Sequence, residues 1–165
     1  MLHQLVFRKL KYPKIPIILN YTPLHYQIAL TLLSGIGPIR AKELLLSVDN
    51  VAFLFHSSPK ELERSAGYNS SFFRKLNREE ALIKADEVIN YNKRNNINTL
   101  FYTDPDYPYR LKNCVDSPII LYTKGDIDLN HSKLVAIVGT RTATSYGKNL
   151  CVDLITSLID RNVSV

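Results

Sequence analysis

Apolar positions recur with a helical period through the first half of the chain and break into short extended runs in the second. Thr22-Pro23 is a cap followed by proline at the first helical position, and Leu24, Ile28 and Leu32 stand at i, i+4 and i+8. That spacing predicts a helix ended by Gly35. Pro38 can open the next helix, through about Ser47, with Ile39 and Leu44 to Leu46 on its buried side. Ser58-Pro59-Lys60-Glu61 has the form of a capping box, so a short helix should run to about Ala66-Gly67. From Ser71 to about Asn95 one longer charged helix is expected, with Phe72, Leu76, Ile83, Val88 and Tyr91 inward. Residues 21–95 therefore read as a bundle of four or five helices.

Beyond Asn95-Asn96 the pattern changes. Ile97 to Tyr102 and Ile119 to Tyr122 read as strands, separated by a loop, Thr103 to Pro108, dense in turn formers. Leu134 to Val138 is wholly apolar, as suits a strand covered on both faces of a parallel sheet. Gly139 lets the chain turn, Thr144 is a candidate N-cap for a helix over roughly Ser145 to Arg161, and Val163 to Val165 has the look of a second parallel strand. A βαβ unit needs neighbouring strands and helices on both faces, so residues 96–165 are expected to be the truncated start of an α/β domain. The expected fold class is α followed by α/β.

Composition adds little to this picture except at one end. Net charge is +6, but residues 1–20 hold Arg8, Lys9, Lys11 and Lys14 and no acid. They alternate with apolar residues around Pro13 and Pro16 without a clear period, and are expected to form a basic arm. Residues 21–100 hold ten basic and eight acidic side chains, and 101–165 seven of each, so a cationic patch on the folded part must come from geometry. No apolar run reaches the roughly 18 to 20 residues of a membrane span, and a cytoplasmic protein is expected. Cys114 and Cys151 are too few for a disulfide framework or a paired-cysteine metal site, and the histidines lack ligand spacing, so neither metal nor cofactor is expected.

The candidate chemistry lies at the second glycine turn. A buried strand leading through Gly139 to a capped helix is the arrangement of an anion site, because free amides and the helix dipole face the turn. Arg141 would add a charged planar fork suited to phosphate, and Thr140, Thr144 and Tyr146 complete the candidate set, Tyr146 as a stacking surface. A dinucleotide site would require three glycines in G-x-G-x-x-G spacing; here only Gly139 and then Gly147 occur. Gly35-Ile36-Gly37 between two amphipathic helices has the form of a helix-hairpin-helix, whose turn can hold a DNA phosphate, with Arg40 and Lys42 nearby; the same glycines serve equally as a tight structural turn. Asp104 and Asp106 are expected to make turns rather than catalyse. The Arg74, Lys75 and Arg78 run is interleaved with acids, as on a solvated helix face.

Four motifs in register carry a resemblance: Gly35-Ile-Gly-Pro38; Asp104-x-x-Tyr107-Pro108-x-x-Leu111; Ser117-Pro118-Ile-Ile-Leu-Tyr122-x-x-Gly125; and Val138-Gly-Thr-Arg141 followed by Thr144-x-Tyr146-Gly147. Over about residues 24–165 the chain resembles the N-terminal portion of the DNA-processing protein A family (DprA, also called Smf). The resemblance implies a helical, sterile-alpha-motif-like domain over 21–95 and a truncated Rossmann-like DNA-binding domain over 96–165. It implies binding and hand-over without enzymatic turnover: protection of incoming single-stranded DNA and loading of the RecA recombinase in natural transformation, during competence and DNA recombination. It implies that Gly139 and Arg141 lie in the DNA pocket, and that surfaces for RecA and self-association lie beyond these residues. Two other classes remain open, a nucleotide-binding Rossmann-like enzyme and a helical protein-interaction module.

Overall fold

The computed structural model describes residues 21–126 and 128–165. The basic arm expected at 1–20 lies outside them. Helix α1, Pro23–Leu32, starts on proline, and His25 turns back so that its Nδ1 accepts the Thr22 N–H at 3.0 Å. Gly35, at φ +79°, closes the turn to α2, Pro38–Leu46, where a residue with a Cβ would be strained. Helix α3 is one turn, Phe53–His56. Helix α4, Pro59–Ala66, carries the expected capping box: Ser58 Oγ accepts the Glu61 N–H and the Glu61 carboxylate accepts the Ser58 N–H at 2.7 Å. Gly67, left-handed at φ +70°, ends it.

The single helix expected from Ser71 to Asn95 is two, α5 at Ser70–Arg74 and α6 at Arg78–Asn95. The break has a local cause. Asn77 turns its side chain onto the Glu80 N–H and caps α6, whose first turn then carries Glu79 and Glu80 against the helix dipole. The new start rotates the buried face to Ala81, Leu82, Ala85, Ile89 and Asn92, leaving Tyr91 exposed where an inward position was expected.

Strands β1, Ile97–Phe101, and β2, Ile120–Lys124, pair antiparallel, with Phe101 opposite Ile120 and Ile97 opposite Lys124. Between them Asp104 makes a turn, its carboxylate accepting the Phe101 N–H at 2.8 Å, and α7, Tyr109–Lys112, adds one helical turn. Ile28, Leu30, Leu44, Leu62 and Phe73 form the heart of a buried cluster that Phe101, Ile119 and Ile120 join, so hairpin and helices share one core. α1 and α6 make its main helix pair. Fully burying each such side chain contributes about 1.5–3 kcal/mol.

The last element, α8, runs Ser145–Ile159, close to the expected span, and Thr144 caps it as expected. Leu134 to Val138 departs from expectation. The run is exposed, Val138 at 91%, and only Leu134 bridges, in parallel, to Ser164. A parallel strand needs cover on both faces; the described residues supply one bridging partner and no cover, and α8 itself buries no side chain. Among the described residues no helix is long and apolar enough to cross a membrane.

Candidate nucleic-acid interface

The turn from Gly139 to Gly147 is built by two hydroxyls. Thr140 Oγ1 accepts the Thr142 N–H at 3.3 Å, folding a small side-chain turn with Arg141 at its middle. Thr144, extended at φ −69° and ψ 162°, offers its Oγ1 to the Gly147 N–H at 3.1 Å, and its carbonyl accepts the first helical bond from Lys148 at 3.0 Å. A helix start has four amides without intrahelical partners; this geometry caps one and leaves the Ser145 and Tyr146 N–H groups free at the mouth. No acid sits in the first turn of α8. Arg141 is exposed and, among the described residues, makes no hydrogen bond or ion pair. Tyr146 is 77% exposed, not a core residue. Gly139 has open space where a Cβ would stand, so another molecule can approach its backbone closely.

The first glycine turn has a different economy of charge. Gly37 caps α2 through its backbone alone and Ile36 is buried, while Gly35 supplies the positive φ. Arg40 folds back so that its Nη1 donates to the Gly35 carbonyl, and its guanidinium lies 5.7 Å from the Tyr68 ring and 5.3 Å from that of Phe72. Tyr68 in turn donates its hydroxyl to Glu43, and that hydrogen bond holds the hydroxyl above its ordinary pKa. Lys42 points across the fold. Its Nζ donates to the carbonyls of Cys114 and Val115 at 3.1 and 2.9 Å and to Ser117 Oγ at 2.6 Å. All three of its N–H bonds are thereby used inside the molecule.

The two glycine turns are thus not alike: one presents an unengaged guanidinium, free amides and an exposed ring, while the other has its cations tied into the fold. Sequence reading missed two further residues. Arg110 donates from Nη1 to the His131 carbonyl at 3.1 Å and from Nη2 to that of Ser132 at 3.3 Å, and Asn130 Oδ1 accepts the Tyr109 N–H at 2.9 Å. These ties hold the segment that leads to Gly139. Their partners lie about twenty residues apart, outside any local motif. Among the described residues no group of three or more His, Cys, Asp or Glu side chains could hold a metal ion.

Residues 98–165 match the family described as DNA recombination-mediator protein A. Among curated proteins the chain is 37% identical over 68 residues to the DNA processing protein DprA of Bacillus subtilis, covering 41% of this chain and 23% of that protein. It is 38% identical over 58 residues to a DprA protein of Mycobacterium tuberculosis, covering 34% of this chain and 15% of the relative. The matched segment spans less than a quarter of either relative. No solved structure matches.

Proposed function

We propose that this chain, whose residues 98–165 match the DNA recombination-mediator protein A family, takes the sugar-phosphate backbone of single-stranded DNA at the Gly139 to Gly147 turn. The observation that carries the reading is the exposed, unpartnered Arg141 set between a threonine turn and a capped helix mouth with two free amides. Guanidinium and amides bind phosphate whatever the base, and Tyr146 offers a ring on which any base can stack. The first glycine turn contributes little cation to such binding, because Lys42 and Arg40 are committed elsewhere.

The action proposed is binding and hand-over without bond cleavage, in keeping with the family resemblance: protecting incoming single strands and delivering them to RecA in the cytoplasm. The Rossmann-like and sterile-alpha-motif-like architectures belong to the same proposal. The parallel bridge from Leu134 to Ser164 across α8 supports the first.

Oligo-dT titrations at several salt concentrations test the reading. Arg141→Ala should weaken binding and reduce the slope of log K against log salt by about 0.7, the value for one phosphate contact on a single strand. Affinity and slope both unchanged would refute it. A mononucleotide that competes stoichiometrically with DNA would instead favour a nucleotide-binding enzyme.

A further inference from the structure

The unit that carries the candidate turn hangs on one short helix. Among the described residues, every hydrogen bond between residues 128–165 and the earlier part of the chain is made by Tyr109 or Arg110 of α7: the Tyr109 N–H to Asn130 Oδ1, and the Arg110 fork to the carbonyls of His131 and Ser132. α8 contributes no buried side chain to any attachment. The segment these ties grip is stiffened from within. Asp128 accepts the Asn130 N–H at 2.8 Å, and residues 133–135 exchange backbone bonds with Ser164 at 3.0 and 2.9 Å. The grip is also well founded. Tyr107, just before α7, is buried and donates its hydroxyl to the Pro118 carbonyl at 2.5 Å, while Lys42 locks residues 114–117 behind it.

From this we infer that Arg110 is a positioning residue: it fixes the 128–165 unit to the helical bundle and so sets where the Gly139 to Gly147 turn stands, without touching DNA itself. The inference rests on the reading of that turn as the DNA site for its functional consequence. The physical reason is the fork. A guanidinium whose two terminal nitrogens meet consecutive carbonyls defines the orientation of the segment as well as its distance, which one hydrogen bond would not. Its own place is set by the Tyr109 ring, 4.6 Å from the guanidinium carbon. A loosened joint must be ordered again on binding, and that ordering is subtracted from affinity.

The test uses the full chain, oligo-dT and amide hydrogen exchange. Arg110→Met keeps the apolar stem and removes the fork; Asn130→Ala cuts the other tie. Each should weaken oligo-dT binding about three- to tenfold, as expected for losing exposed hydrogen bonds to a segment that must then be ordered. Each should also speed exchange over residues 128–135, leave the salt slope unchanged, and add little once Arg141→Ala is in place. A reduced salt slope in Arg110→Met would overturn the inference, since it would make Arg110 a phosphate contact. So would unchanged exchange. If Arg141→Ala leaves binding intact while Arg110→Met still speeds exchange, the joint stands and the reading of the turn as the DNA site falls.

Discussion

Replacing Lys42 with methionine separates two accounts of this lysine. Methionine keeps an unbranched apolar side chain and removes the ammonium, so the change isolates three hydrogen bonds, to Cys114 O, Val115 O and Ser117 Oγ. Hydrogen bonds to a charged group contribute about 1.5–3 kcal/mol each when well buried, but two of these reach exposed carbonyls that water can satisfy. Ser117 is different, 2% exposed, and loses its cationic donor outright. A net cost of about 2 kcal/mol follows, equivalent to one buried charged bond plus a small remainder. In urea, with a slope of about 2 kcal/mol/M, the unfolding midpoint should fall by about 1 M. The salt slope of oligo-dT binding should stay as it was. An unmoved midpoint together with a shallower salt slope would refute the reasoning, because the ammonium would then be free to meet phosphate.

Two further outcomes follow from local geometry. Burial foremost, with Asp86 and Glu79 adding repulsion, pushes the Tyr21 hydroxyl up to about 12. The folded state therefore keeps a proton that the unfolded chain loses near pH 10. Stability should fall as pH rises from about 10 to about 12, and Tyr21→Phe should flatten that fall in alkaline unfolding curves, the other tyrosines keeping their share. A slope identical to the parent would rule out this origin. Thr144→Ala removes the acceptor for the Gly147 N–H and should cost α8 about 1 kcal/mol. Because α8 buries no side chain, packing cannot absorb the loss, so far-ultraviolet dichroism should show less helix. An unchanged spectrum would contradict it.

What was legible in the sequence is what local chemistry decides. Pro23, Pro38 and Pro59 open the helices they were expected to open, Ser58 and Glu61 cap each other, Gly67 ends α4, and Thr144 caps α8. Both short strands occur where β-branched and aromatic residues predicted them. The break at Asn77 had a signal, an N-cap residue followed by two acids, but Phe72, Leu76 and Ile83 continued the apolar period across it and outweighed the cap. The work of Lys42 and Arg110 had no local signal. Their acceptors are carbonyls, which every residue carries, at distances in sequence of more than seventy and about twenty residues. At the candidate turn, residue types foretold the Thr144 cap. The cover expected over Leu134 to Val138 depended on neighbours that the described residues do not supply.

That uncovered surface gives the molecule two opposite responses to salt. Leu134, Ile137, Val138, Leu150, Val152 and Ile159 stand in water on the same unit as Arg141. Sulfate or phosphate buffers, excluded from apolar surface, drive such groups together, while any added electrolyte weakens a grip on phosphates. Conditions that salt this protein out are thus those that would also weaken the proposed binding of a nucleic acid, and dilute chloride solutions are where the dissolved protein and that proposed ligand should coexist.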